Sequence, residues 1–385
     1  MNKSVFFIAG EASGDSLGAS LMRGLKKREG DLVKFSGIGG PLMEGQGFKS
    51  LLPMDDLCVM GLWEVVWQLP RLLRLIQGTV EEIEKCAPDV VVTIDLPDFN
   101  FEVAQRLKKR GIFKGKIVHY VAPSVWAWRP GRAKKIAGYF DGLMCLFPFE
   151  PAYFTEHGLD AAYVGHPLIE VDTAALDPKG FREDLHIQDG ALCLGVLFGS
   201  RERELSSLSK PFLETIGALH EQYENLQLIA PTLPSLEYNV TNLLSGIDVP
   251  CNVVKDQNFK WDALASCDVA LAASGTVALE LSYLGVPHII GYKAHPLTAL
   301  ILKLVVKTKY AHLANILLNE EVVPEYLQTK CSAGKLTRAM MRLLRYPEEQ
   351  VKQKQAFARL HEKLQLGAGE TPSERAAAYV LRMAA

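Results

Sequence analysis

Short runs of apolar, largely β-branched residues punctuate this chain, at 5–9, 33–38, 90–95, 116–121, 142–146 and 161–164, and again at 192–198, 226–230, 251–254, 269–272 and 288–291. Most are continuous rather than alternating, which is the pattern of parallel strands covered on both faces. Helix-length segments with a 3.6-residue period separate them. Strand–helix alternation predicts an α/β protein built of two Rossmann-like, doubly wound domains facing a cleft. The alternation pauses across 165–189, where Pro167 and Pro178 sit among charges. The expected division is therefore 1–167, then 168–345, with 346–385 as a helical tail that contains no strand pattern.

The 385 residues are 48% hydrophobic and 22% charged, enough to bury two large cores and too apolar for a disordered chain. The net charge of -2 argues against a nucleic-acid binder, which carries a basic excess. Seven widely spaced cysteines, with no CxxC pair, form neither a disulfide framework nor a zinc site and point to a reducing cytoplasm. The apolar run before Glu11 is too short for a signal peptide, and no run approaches the ~20 residues of a membrane span.

Four strand-to-helix junctions carry chemistry. Gly-Glu-Ala-Ser-Gly-Asp at 10–15 follows the first strand, with Ser13 or Asp15 placed to cap the next helix. It lacks both the GK[ST] of a P-loop and the dinucleotide GxGxxG, so an anion site and a plain capped turn both remain open. Asp95-Leu-Pro-Asp-Phe-Asn, at 95–100, closes a buried strand at its carboxyl end, where open α/β sheets bind ligands. Asp95 is the expected general base, and Asp98 and Asn100 are expected to be structural. Gly199-Ser200-Arg201 offers a turn, a hydroxyl and a planar cation for a diphosphate, although Arg201 could equally pair with Glu202 or Glu204. Ser274-Gly275-Thr276 presents hydroxyls and amides, with Ser274 as an N-cap in the plainer reading. Glu280 lies one turn beyond on the same face as Thr276, within reach of ribose hydroxyls. The last two junctions together describe a nucleoside-diphosphate site. No HExxH or DxD occurs, so no metal and no cofactor is expected.

Charge is distributed unevenly. Ten Lys and Arg and no acid lie between 103 and 140, with Trp126 and Trp128 among them. The segment 62–76 places Leu62, Val65, Val66, Leu69, Leu72, Leu73 and Ile76 on one helical face, flanked by Trp63 and Trp67 and interrupted by Pro70. Such a stripe is either an interfacial membrane helix or a helix packed on its own sheet. A second apolar and basic stretch at 293–309, with four lysines, favours an anionic membrane over nucleic acid; Val65, Val66, Leu69, Leu72 and Leu73 are the expected membrane contacts.

Taken in order, AGEASGD (9–15), MG (60–61), DxPDFN (95–100), YVAPSVWAWR (120–129), PFE (148–150), GH (165–166), GSR (199–201), ASGTVALE (273–280) and the spaced TA, VK, NIL and VPEYLQ between 298 and 328 resemble bacterial lipid-A-disaccharide synthases over nearly the whole chain. Phe198 departs from the proline usual before GSR. The resemblance implies an inverting, metal-independent GT-B glycosyltransferase whose UDP-sugar is a substrate rather than a cofactor. It would join UDP-2,3-diacylglucosamine to 2,3-diacylglucosamine 1-phosphate (lipid X), giving a β(1→6) disaccharide 1-phosphate and UDP. It further implies an acceptor and lipid side in 1–167, shaped by Ser13 and Asp15, and a nucleotide side in 168–345 that includes Asn315. Attachment to the inner face of the inner membrane follows, and the resemblance leaves a homodimer open. The rivals are another GT-B-type UDP-sugar enzyme, such as a non-hydrolysing epimerase, and a non-catalytic lipid-binding protein.

Overall fold

The computed structural model describes residues 3–57, 62–127, 131–294, 306, 308–367 and 369–385, with the backbone alone over 62–68. The chain forms two compact units, Met1–Glu170 with Leu364–Ala385, and Val171–Lys363. The first break falls three residues beyond the expected 167. The expected tail does not form a unit of its own but is divided between the two.

The first unit holds a parallel six-stranded sheet made of β1 (Lys3–Ala9), β2 (Val33–Ile38), β3 (Val90–Ile94), β4 (Lys116–Tyr120), β5 (Gly142–Cys145) and β6 (Asp160–Tyr163), in the order β2-β1-β3-β4-β5-β6. The side chains of β1 alternate between two cores. Phe6 and Ile8 join one and Val5, Phe7 and Ala9 the other, which is why the run reads as unbroken apolar sequence. At roughly 1.5–3 kcal/mol per fully buried large side chain, these two faces are a principal source of the unit's stability. The final helix, Pro372–Met383, starts at a Thr-x-x-Glu cap in which the Thr371 hydroxyl accepts the Glu374 amide. It packs Ala376, Ala377 and Val380 into the second of these cores. Tyr379 donates to the Asp160 carbonyl at 2.6 Å, and Arg382 grips the Asp160 carboxylate with two nitrogens. These contacts assign the end of the chain to the first unit.

The second unit repeats the plan with β7 (Leu192–Leu197), β8 (Leu226–Pro231), β9 (Cys251–Val254), β10 (Val269–Ala273), β11 (His288–Tyr292) and β12 (Glu325–Leu327), in the order β12-β11-β10-β7-β8-β9, again all parallel. The helix Pro347–Leu364 is tied here through Gln353, which brackets both the amide and the carbonyl of His288.

Each sheet has one place where the chain reverses its direction of build-up: between β1 and β3 in the first, between β7 and β10 in the second. Connections leave in opposite directions there, which opens a crevice beyond the carboxyl ends of the strands. The two junction motifs of each unit's sequence follow these strands.

Candidate functional site

At the β1/β3 crevice, Asp95 and Leu96 both take left-handed backbone, with φ of 48° and 46°. Asp tolerates that region and Leu does not, while Pro97 bars Leu96 from the right-handed helical alternative. The turn is pinned from below by Asn100, which is completely buried. Its Nδ2 donates to the carbonyls of Ile94 (3.2 Å) and Asp95 (2.7 Å). Asn100 thus holds the turn through its Nδ2, while its Oδ1 is buried with no hydrogen-bond partner among the described residues. Leu96 reaches toward Gly10, where an added Cβ would stand 2.5 Å from its Cδ2, so a larger residue there would push the Leu96 side chain aside. The Asp95 carboxyl is half-buried. Loss of water pushes its pKa above the ordinary value, and the Leu96 amide partly offsets this.

The first motif behaves differently from its capping pattern. The helix Ala12–Glu29 begins ahead of both predicted caps, with Glu11 in the N-cap position. Ser13 lies in the first turn and is exposed. Asp15 is buried and caps a different element: Oδ1 accepts the amides of Gly40 and Met43 at 2.9 and 3.0 Å, and Oδ2 that of Leu42 at 3.0 Å. These donors are the otherwise unpaired N-terminal amides of the turn Pro41–Glu44. Asp15 therefore shapes the crevice by holding the segment after β2, with its carboxylate committed to backbone.

At the β7/β10 crevice, Gly199 adopts φ 101° and a Cβ there would meet Glu204 Oε2. That oxygen accepts the Ser200 amide at 3.0 Å. The Arg201 guanidinium is 78% exposed and only 4.0 Å from Glu204, a separation at which an exposed pair contributes little. The guanidinium thus stands exposed on the turn that follows β7. Opposite, Gly275 rather than Ser274 is the N-cap of the helix Thr276–Tyr283, with no side-chain cap on its amides among the described residues. The Ser274 hydroxyl instead donates to the Ala311 carbonyl at 3.3 Å. The helix start is left as an anion-attracting end. Glu280 carries the most specific signal. Oε1 accepts Lys260 Nζ at 2.6 Å, whereas Oε2 is buried and has no hydrogen-bond partner among the described residues. A buried, unpaired carboxylate oxygen is costly and is the kind of acceptor that a ligand hydroxyl would satisfy.

Asn315 is fully engaged within the protein. Its Nδ2 donates to Val323 O (2.8 Å) and Glu325 Oε1 (2.9 Å), and its Oδ1 accepts the amides of Val322 and Val323. Glu325 in turn accepts the amides of Ala311 and His312, the segment that Ser274 touches. The nucleotide-side position implied by the resemblance is thus a brace for the crevice wall. Lys260 was not singled out in the sequence, and Glu325 appeared there only within the VPEYLQ match, with no role given to it. Neither lies in a periodic or glycine-marked pattern, and only the folded sheet brings them to the site.

The apolar stripe divides in two. The helix Leu62–Cys86 sends Leu72, Leu75 and Ile76 into or against the core, while Leu69 and Leu73 remain 45% and 40% exposed. Leu72, expected at the membrane, is partly buried against the core. The side chains of Val65 and Val66, most of the 293–309 stretch, the 60–61 motif, Trp128 and Arg129 lie outside the described residues. The basic face is also partly neutralised: Arg106 pairs with Glu102, Lys108 with Asp141 and Arg110 with Glu84. Arg132 and Lys135 line a pocket of about 230 Å³ with Asp98, Phe101 and Glu102. Among the described residues, no helix is long and apolar enough to cross a membrane.

The family model for lipid-A-disaccharide synthetase matches residues 5–379. A lipid-A-disaccharide synthase of Rhodospirillum centenum is 42% identical over 383 residues, covering 98% of this chain and 94% of that protein. One from Paramagnetospirillum magneticum is 43% identical over 379 residues, covering 98% and 96%. Among solved structures, the UDP-GlcNAc 2-epimerase of Neisseria meningitidis bound to UDP-GlcNAc aligns with a TM-score of 0.64, covering 98% of each chain at 13% identity. That likeness shows the two-sheet GT-B fold and does not extend to the reaction.

Proposed function

From the premise that this chain belongs to the lipid-A-disaccharide synthase family, and is therefore a glycosyltransferase of lipid A synthesis, we propose how its residues carry out the reaction. The donor is UDP-2,3-diacylglucosamine and the acceptor is 2,3-diacylglucosamine 1-phosphate. The acceptor 6-hydroxyl displaces UDP from the anomeric carbon in one step, inverting that centre. The new C–O bond forms as the bond to the diphosphate breaks, and the hydroxyl proton must leave with the reaction.

Asp95 takes that proton. The observation that carries the reading is its placement: a half-buried carboxyl, raised by desolvation, in left-handed backbone at a topological switch point. Ser13, exposed in the first turn of the neighbouring helix, is an acceptor contact. Arg132 and Lys135 are the cations we assign to the acceptor phosphate.

UDP leaves with negative charge. Arg201 and the uncapped amides at Thr276 neutralise it, with Gly199 and Ser200 shaping the loop. Glu280 Oε2 accepts a ribose hydroxyl, and Lys260 orients that carboxylate through Oε1. In this reading no metal and no cofactor is required. The diacylated substrates reside in a bilayer, so the enzyme works at the inner face of the inner membrane, with Leu69 and Leu73 among the residues that touch lipid.

Incubating the purified protein with both substrates and identifying the product by mass tests the proposal. A tetraacyl disaccharide 1-phosphate with stoichiometric UDP supports it. UDP release that is independent of the acylated acceptor would point to a different UDP-sugar reaction.

A further inference from the structure

Two motifs of the sequence, 120–129 and 148–150, have no role in the chemistry above. The structure joins them through one buried carboxylate. Glu150 is 2% exposed. Its Oε2 accepts the amides of Leu146 and Phe147, both at 3.0 Å, and its Oε1 accepts the Trp126 indole N–H at 3.3 Å. Trp126 also packs edge-to-face with Phe149, with ring centroids 5.2 Å apart. Glu150 therefore clamps the loop after β4 to the loop after β5.

The loop that is clamped starts under strain. Val121 sits at φ 81°, a region that a β-branched residue rarely occupies and that costs on the order of 1–3 kcal/mol. Its amide donates to Met144 O at 3.1 Å, and the carbonyl of the preceding Tyr120 accepts the amide of Asp95 at 3.0 Å. Strain of this kind persists only where neighbouring contacts over-determine it, and the Glu150–Trp126 link is such a contact.

We propose that Glu150 is a positioning residue for the transfer reaction: through Trp126 it holds the strained 121–126 loop where it leaves β4, beside the strand end whose last ladder bond carries the Asp95 amide. This rests on the reading of Asp95 as the base. Burial raises the Glu150 carboxyl to about 7, while its three N–H donors pull the other way. Cys145 and Tyr163 lie within its electrostatic reach. His166, whose own pKa is lowered to about 4 by burial, stacks on Phe147.

The test is a cycle of Glu150→Gln, Trp126→Phe and the double variant in the full-length protein. Melting temperature, kcat, KM for UDP-diacylglucosamine and the acid limb of the rate profile are measured for each, with Asp95→Asn beside them. Gln must turn its amide N–H₂ toward a donor, and Phe keeps the ring but loses the indole N–H. Each single variant should lower kcat by about tenfold. The double should be no worse than either single, because both act through one link. The KM for the UDP-sugar should stay unchanged and the acid limb should shift. If Glu150→Gln does not fold, Trp126→Phe alone decides. Wild-type kcat in Trp126→Phe, or losses that simply add, would overturn the proposal. The Asp95 reading fails separately, by an Asp95→Asn variant that keeps its turnover.

Discussion

The amide of Asp95 donates to the carbonyl of Tyr120 at 3.0 Å, joining the ends of β3 and β4 at a point where the backbone on both strands turns left-handed, at Asp95 and at Val121. The junction fixes the Asp95 backbone, and with it the point from which the carboxyl extends. This is how a fold can fix a base on a strand end rather than on a mobile loop.

Asp95→Asn keeps the shape and removes the proton acceptor. Turnover should fall roughly 10²–10⁴-fold while UDP affinity is retained. In the unaltered enzyme kcat/KM should fall as the pH drops and the base is protonated. Because burial raises this pKa, the midpoint should lie above that of an ordinary aspartate. A rate profile with no acid limb would exclude the assignment.

Arg201→Ala should weaken UDP binding by about 1.5–3 kcal/mol, measured by calorimetry, and Arg201→Lys should restore only part of the loss because the planar fork is gone. With cations supplied by the protein, turnover should survive EDTA. Loss of turnover that added Mg²⁺ or Mn²⁺ restores would require a metal at the diphosphate.

Glu280→Ala should weaken UDP binding by a similar amount, about 1.5–3 kcal/mol, but leave the affinity for inorganic pyrophosphate unchanged, since the carboxylate is assigned to ribose. Lys260→Met should reproduce part of that loss by freeing the carboxylate it holds at 2.6 Å. Equal losses for UDP and pyrophosphate would move Glu280 off the ribose.

Asp15→Ala and Asn315→Ala should act mainly on stability. Each strands buried backbone groups, at a cost of about 1–3 kcal/mol per uncompensated group. Thermal melts should show the drop. A variant with an unchanged melting temperature and a raised KM would instead place that side chain on substrate.

Leu69→Ser with Leu73→Ser should leave the fold intact and reduce co-sedimentation with anionic vesicles. Leu72→Ser with Ile76→Ser should lower the melting temperature, since those side chains belong to the core. Undiminished vesicle binding by the first pair would show that the exposed leucines are not the lipid contact.

The parallel strands were largely readable from the chain alone because a strand covered on both faces is apolar at most positions, as in β3 (VVVTI), β7 (LCLGVL) and β10 (VALAA), while β2 (VKFSGI) and β9 (CNVV) carry polar positions among the apolar ones. The three-residue β12, Glu325–Leu327, carries no apolar run and owes its pairing to β11. The junction motifs were readable too, since glycines and hydroxyls at strand ends are local features. That the motifs follow the strands flanking the two reversals is a property of strand order, which no local pattern encodes. The carboxylates divide in the same way. Asp15 looked like the cap of its own helix and caps a turn 25 residues onward; Glu280 gained its partner from Lys260 and Glu150 its partner from Trp126. Hydrophobic periodicity is written along the chain because burial acts on each residue in turn. The partner of a polar group is decided only when the sheet brings distant segments together, because a hydrogen bond depends on geometry that sequence spacing does not contain.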